Sequence, residues 1–329
     1  MRRRPARATL VALTALTVLT AAVTTGCGSD DAAPDPLRGD QWALDALKMP
    51  DAWSTDRGDD TVIAVVDTGV DLDHPDLKGR LVDGYDFVDN DTEPKDLNGH
   101  GTHVAGIAAA HTDNGVGVSG GAPGAKIMPV RVLGADGSGS DENITKGIVW
   151  AAQHGADVIN LSLGESGLMA RLLKGGVLNQ AISVADAKGA VVVAAAGNDS
   201  TVLQPYALDT PVLVVNAADE DGAPASFTNF GAQNAVSAPG VDILSTLPTY
   251  PTKESLKNPS GYGELSGTSM ASPYVSAVAA LLHRQGLDPA AVRRTIQQTA
   301  GNPRNLVKLG LGNVDAAAAV KAAHDAKNP

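Results

Sequence analysis

Short, unbroken runs of Val, Ile, Leu and Ala recur along the chain at 61–66, 126–133, 158–161, 191–195 and 212–215. Runs this short, rich in β-branched residues and without polar alternation, predict strands buried on both faces, as in a parallel sheet. Elsewhere apolar residues return every three or four positions, predicting helices over 104–110, 142–154, 178–188, 270–283, 289–299 and 315–324. Strand and helix alternate. This order predicts an α/β fold with a doubly wound, mostly parallel sheet, helices on both faces, in a single domain. Ligands of such sheets bind beyond the C-terminal strand ends. Asp67 follows the first run, Asn160-Leu161-Ser162-Leu163-Gly164 closes the third, and Ala196-Gly197-Asn198 follows the fourth.

The first 27 residues stand outside this pattern. Arg2, Arg3, Arg4 and Arg7 precede an apolar stretch over 10–23, which ends in Thr24-Thr25-Gly26-Cys27, the layout of an export signal. The stretch is shorter than the ~20 residues of a membrane span, which argues against a transmembrane anchor. A cysteine at this place resembles the lipobox of bacterial lipoproteins, although Thr24 stands where Leu is usual. Lipidation of Cys27 is therefore expected, with plain secretion as the alternative. Residues 28–34 form a short polar tether, and the folded domain follows directly.

Composition narrows the function. The net charge of −12, with no basic run after residue 7, argues against a nucleic-acid partner or an anionic membrane surface. Membrane contact is expected only through a lipid on Cys27. Cys27 is the single cysteine, which excludes an intramolecular disulfide and a cysteine-rich zinc site. With 329 residues and 43% hydrophobic content, the chain can bury one large core.

Three segments carry the chemistry. Val65-Val66-Asp67-Thr68-Gly69, Asn98-Gly99-His100-Gly101-Thr102-His103 and Gly267-Thr268-Ser269-Met270-Ala271 supply an acid, an imidazole and a hydroxyl. A serine hydroxyl is a weak nucleophile near neutral pH and requires an adjacent base. A carboxylate on the far ring nitrogen fixes the tautomer and stabilises the imidazolium, the role open to Asp67. His100 and His103 could also be read as half of a metal site, but no third ligand lies nearby. Separately, Asp86, Asp89 and Asp91 stand within six residues, as a hard-cation loop or a solvated acidic turn would place them.

All three segments, in this order, resemble the subtilisin-like serine proteases over residues 35–323, leaving 324–329 as a tail. The resemblance implies a serine endopeptidase that takes an extended polypeptide, acts as a monomer, and is secreted or lipid-anchored at the cell surface. It assigns Asp67, His100 and Ser269 as the triad and leaves His103 as a structural residue. Asn198 corresponds to the side-chain oxyanion donor, acting with the backbone N–H of Ser269. Gly137, Ser138 and Gly139 on one side, and Ser162, Leu163 and Gly164 on the other, correspond to the segments that pair with substrate.

The same resemblance implies structural calcium. One site would draw side-chain oxygens from Asp35, Asp76 and Asn114 and carbonyls from Thr112, Val116 and Val118. A second would use Asp86 and Asp91, with Asp89 adjacent, weakened by Lys95 where the family has a neutral ligand. Departures are present too. Asp141 occupies a rim position where the family often has an apolar group, and Asp199 follows the oxyanion asparagine, which suggests a preference for basic or polar residues near the cleavage point. The matching region begins a few residues after Cys27, which leaves no stretch for the pro-domain of many secreted relatives.

Two other classes stay open on sequence. A catalytically silent peptide-binding lipoprotein would lack a reactive group, and all four are present. An esterase would be expected to carry a Gly-x-Ser-x-Gly elbow, which is absent around Ser269.

Overall fold

Residues 33–163, 176–204, 206–252 and 260–327 are described by a computed structural model; Cys27 and Gly164 lie outside them. Seven strands form a parallel sheet: β1 (Val62–Asp67), β2 (Tyr85–Asp86), β3 (Lys126–Arg131), β4 (Val158–Leu161), β5 (Val191–Ala195), β6 (Val212–Ala218) and β7 (Val236–Pro239). Their order is β2-β3-β1-β4-β5-β6-β7. The chain therefore leaves β1 toward one edge and later returns on its other side as β4. The reversal opens a crevice at the C-terminal ends of β1 and β4, where a doubly wound sheet binds ligands.

The continuous apolar runs are explained by burial on both faces. Along β1, Ile63 and Val65 join one core, while Ala64 and Val66 join the other. The first core lies under α3 (His100–Ala109) and α6 (Thr268–Arg284), and the second under α4 (Asp141–Gln153) and α5 (Val177–Ala187). Short α1 (Trp42–Ala46) and α2 (Met49–Trp53), with α7 (Pro289–Thr299) and α8 (Ala316–Lys327), complete the first layer.

Two boundaries differ from the periodicity in ways that matter. Helix α3 begins at His100, four residues before the apolar repeat, because Gly101 and Thr102 are buried without being apolar. Strand β3 stops at Arg131, since the N–H groups of Val132 and Leu133 both turn to the Asp67 carbonyl, at 2.9 and 3.1 Å. A two-stranded antiparallel sheet, β8 (Ile243–Thr246) with β9 (Tyr262–Leu265), was not foreseen. It packs on α3: Ser245 Oγ donates to the His103 carbonyl and Thr246 Oγ1 to that of Thr102, at 2.8 and 2.7 Å. A Cβ on Gly106 would meet these hydroxyls at 2.4 and 2.3 Å, so only glycine permits the contact.

Candidate active site

Asp67 ends β1, the strand at the reversal of the sheet, and His100 opens α3. Two glycines let them meet. Gly69 turns the chain at φ +100°, and a Cβ on Gly101 would lie 2.1 Å from the Gly69 carbonyl. With that clearance, His100 Nδ1 and Asp67 Oδ1 stand 2.8 Å apart. A carboxylate can only accept, so Nδ1 carries the proton and Nε2 the lone pair. Asp67 Oδ1 also accepts the Thr68 N–H at 2.7 Å, while Oδ2 is buried without a hydrogen-bond partner. This half-satisfied carboxylate favours a positive charge on the ring.

Ser269 is the second residue of α6 and is 5% exposed. Its helix contains Pro273, which lacks the N–H that the Ser269 carbonyl would accept four residues on. Ser162, just past β4, replaces it: Ser162 Oγ donates to the Ser269 carbonyl at 2.8 Å, and Ser269 Oγ reaches the Ser162 carbonyl at 3.3 Å. Asn160 supports the pair from inside β4, donating to Ser162 Oγ at 2.8 Å and accepting from Ser272 and Ser276 at 2.8 and 2.9 Å. The hydroxyl at Ser276, where the family usually has Ala, is thus satisfied within the core.

Asn198 lies in the turn after β5. Its Oδ1 accepts both the N–H and the hydroxyl of Thr268, at 2.9 and 3.0 Å. The carboxamide is thereby oriented with Nδ2 turned away from Thr268. The Thr268 hydroxyl in turn accepts the Gly197 N–H at 3.0 Å. Buried Asn229 holds the rest of the turn, bonding the Ala196 carbonyl and the N–H groups of Asp199 and Thr201.

Of the expected substrate segments, Gly137, Ser138 and Gly139 form a turn after β3, with Gly137 at φ +80° and Gly139 bridged to Leu133. The Asn98 amide donates to the Ala135 carbonyl at 3.1 Å and so ties this turn to the His100 loop. Across the crevice Ser162 and Leu163 leave β4; Gly164 lies outside the described residues. Asp141 is exposed at the start of α4, and Asp199 is exposed beside Asn198.

His103 is fully buried, with Nε2 3.0 Å from the Gly263 carbonyl. Burial pushes its pKa down to about 3, so it is neutral and serves packing, as expected.

The two calcium sets fare differently. Asp86 accepts the N–H groups of Val88 and Asp89 and pairs with the Arg131 guanidinium at 2.6 Å, while Asp89 meets the same nitrogen at 2.5 Å. Asp91 accepts the Glu93 N–H. Arg131 supplies there the positive charge that the sequence reading assigned to a cation, and the set Asp86, Asp89 and Asp91 does not fit a metal. Nor does Lys95 face it: its ammonium lies 4.3 Å from the centre of the Tyr250 ring.

Around Asp76 the chemistry is the reverse. This fully buried carboxylate accepts only from neutral donors, the Asn114 amide at 3.1 Å and the Val118 N–H at 2.8 Å. Burial raises its pKa. Asp35 bonds the N–H groups of Asp113 and Asn114 and the Ser119 hydroxyl. Thr112, Asn114, Val116 and Val118 share the loop that closes over both acids. Among the described residues no three His, Cys, Asp or Glu side chains gather as a metal centre, so any ion here depends on amide and carbonyl oxygens.

The family model described as "Subtilase family" matches residues 58–318. The chain belongs to this family. Among its relatives, the "Thermophilic serine proteinase" of Bacillus sp. (strain AK1) is 48% identical over 252 residues, covering 76% of this chain and 59% of the relative. This chain therefore spans about three fifths of that relative's length. "Thermitase" of Thermoactinomyces vulgaris is 44% identical over 261 residues, 79% of this chain and 88% of the relative. A solved structure of a protease from Pseudoalteromonas arctica superposes with a TM-score of 0.78 at 33% identity, covering 89% of this chain and 99% of that one. Against these subtilases, the sequence reading had missed Thr68, Asp96, Asn160, Asn229 and Thr268 as site residues. Thr68 and Thr268 stood inside the quoted segments, and Asp96 lies two residues before Asn98, where a polar residue ahead of a helix signals capping.

Proposed function

We propose that this subtilase is a serine endopeptidase that hydrolyses extended polypeptides through Ser269, His100 and Asp67. The observation that carries the reading is the 2.8 Å contact of His100 Nδ1 with Asp67 at the crevice where Ser269 opens its helix. His100 Nε2 takes the Ser269 proton as Oγ attacks the peptide carbonyl, and Asp67 stabilises the imidazolium formed. The oxyanion is met by Asn198 Nδ2 and the Ser269 N–H. His100 then returns the proton to the leaving amine, and water, deprotonated by the same ring, cleaves the acyl-enzyme. Main-chain pairing with Gly137, Ser138 and Gly139, and with Ser162, Leu163 and Gly164, would hold the peptide and tolerate many sequences. Exposed Asp141 and Asp199 favour basic or polar side chains near the cleavage point, which a peptide-library profile reads.

The residues around Asp76 fit a calcium ion, because a buried anion there has no cationic partner. Asp35, Asp76 and Asn114, with the carbonyls of Thr112, Val116 and Val118, would hold it, and its role would be to tie the start of the domain to the body. The export signal and Cys27 support a secreted or lipid-anchored location; no described helix is long and apolar enough to cross a membrane. The test of the activity is hydrolysis of a denatured protein and of a peptide amide by the purified chain and by Ser269→Ala. Cleavage by the first and not by the second is expected, and equal turnover of both would remove the proposal. A chain that splits esters but not amides would indicate the esterase class.

A further inference from the structure

Helix α3, which begins with His100, has Gly99 as its N-cap, at φ 121° and with no side chain to satisfy the first N–H groups. Asp96 does this from three residues upstream. Fully buried, it accepts the N–H groups of Asn98 and Gly99 through Oδ1, at 2.9 and 2.8 Å. Its Oδ2 accepts the N–H and hydroxyl of Thr102, at 2.9 and 2.6 Å. One further donor comes from another element: the Thr68 hydroxyl reaches Asp96 Oδ1 at 2.9 Å and itself accepts the Gly101 N–H at 2.9 Å. One carboxylate thus binds the residue after Asp67 and the residues on both sides of His100.

Such a clamp has a consequence for the Asp67 contact with His100. Strand end and helix start belong to different elements, and only the Gly69 turn and the loop before α3 connect them. A shift of about 1 Å between them would break the alignment on which proton transfer depends. We propose that Asp96 is a positioning residue of the reaction, holding Asp67 and His100 in register through Thr68 and the α3 N-terminus; this rests on the triad proposed above. Asp96 is also an anion beside the imidazole. The other charged or titratable groups facing this region are Asp71, whose N–H bonds Thr102 Oγ1, Arg131, in register with Asp67, and Tyr250, which donates to the Asp96 carbonyl under the Lys95 ammonium.

The experiment compares the wild type, Asp96→Asn, Thr68→Val and the double variant, each normalised by active-site titration, with Ser269→Ala as the blank. For Asp96→Asn, kcat per titrated site on a peptide amide should fall roughly ten- to hundredfold, with KM within about twofold. The acid limb of its kcat/KM profile should move to lower pH, because a negative charge that favours the imidazolium is gone. Thr68→Val should lose kcat while leaving the acid limb in place, and the double variant should be no worse than Asp96→Asn alone. A titrated Asp96→Asn enzyme with wild-type kcat and an unmoved acid limb overturns the proposal, as does full additivity. If Asp96→Asn yields no folded enzyme, Thr68→Val decides, and wild-type kcat there overturns it. A wild type no more active than Ser269→Ala would instead remove the triad reading.

Discussion

The Ser162 hydroxyl donates to the Ser269 carbonyl at 2.8 Å, and this is the carbonyl that Pro273 deprives of its helical donor. A proline one turn into the helix thereby makes the nucleophile's backbone depend on a side chain from β4. Ser162→Ala would leave that carbonyl and the Asn160 amide unsatisfied. A loss of about 1–3 kcal/mol is expected in urea unfolding, measured in a Ser269→Ala background to prevent self-digestion. In the active enzyme kcat should fall about tenfold.

Asn198 is oriented by two bonds from Thr268 to its Oδ1. Asn198→Ala should lower kcat by roughly 10²- to 10³-fold with little change in KM, the loss known for such a donor in a subtilisin. Thr268→Val, which keeps the N–H and removes the hydroxyl, should cost less. Steady-state kinetics on one peptide amide decides both, and a Thr268→Val loss exceeding that of Asn198→Ala would contradict the orienting role.

Calcium is expected at Asp76 and not at Asp86. Chelation should lower the melting temperature of the wild type, and Asp76→Asn should lower it without chelator and abolish the chelator response. Asp86→Asn should keep that response, since Arg131 is the partner there. A chelator effect lost in Asp86→Asn and kept in Asp76→Asn would reverse the assignment.

His103 gives a pH dependence of known sign. Burial holds its folded pKa at about 3, below the ordinary value of 6.5, so the native state refuses a proton that the unfolded chain accepts. Stability is full above pH 6.5 and falls as pH drops toward 3, by at most about 1.4 kcal/mol per pH unit from this one group. Urea titrations of Ser269→Ala between about pH 7 and 4, with and without His103→Gln, should show a shallower slope in the variant. Parallel slopes would show that His103 is protonated in the folded state.

The sheet was legible because strands buried on both faces need apolar residues at every position, as β4 and β5 show. Strand β9, Tyr262–Leu265, was not, because Gly263 and Glu264 carry no apolar run and its pairing partner lies elsewhere in the chain. The reactive residues stood out through their glycine-rich neighbours, whose clearances the structure explains at Gly69 and Gly101. Asp96, Asn160 and Asn229 were invisible for a different reason: a buried polar side chain with all its bonds made reads in sequence like one in water. The Asp86 loop misled in the same way, since its counter-ion, Arg131, comes from another strand.

The central claim is that Ser269 is a nucleophile activated by His100. The most direct measurement is the mass of the intact protein and of its Ser269 peptide after exposure to a fluorophosphonate, with His100→Ala alongside. One adduct, located on Ser269 and formed far more slowly in His100→Ala, is expected. No adduct on Ser269, or one formed at equal rate without His100, would contradict it.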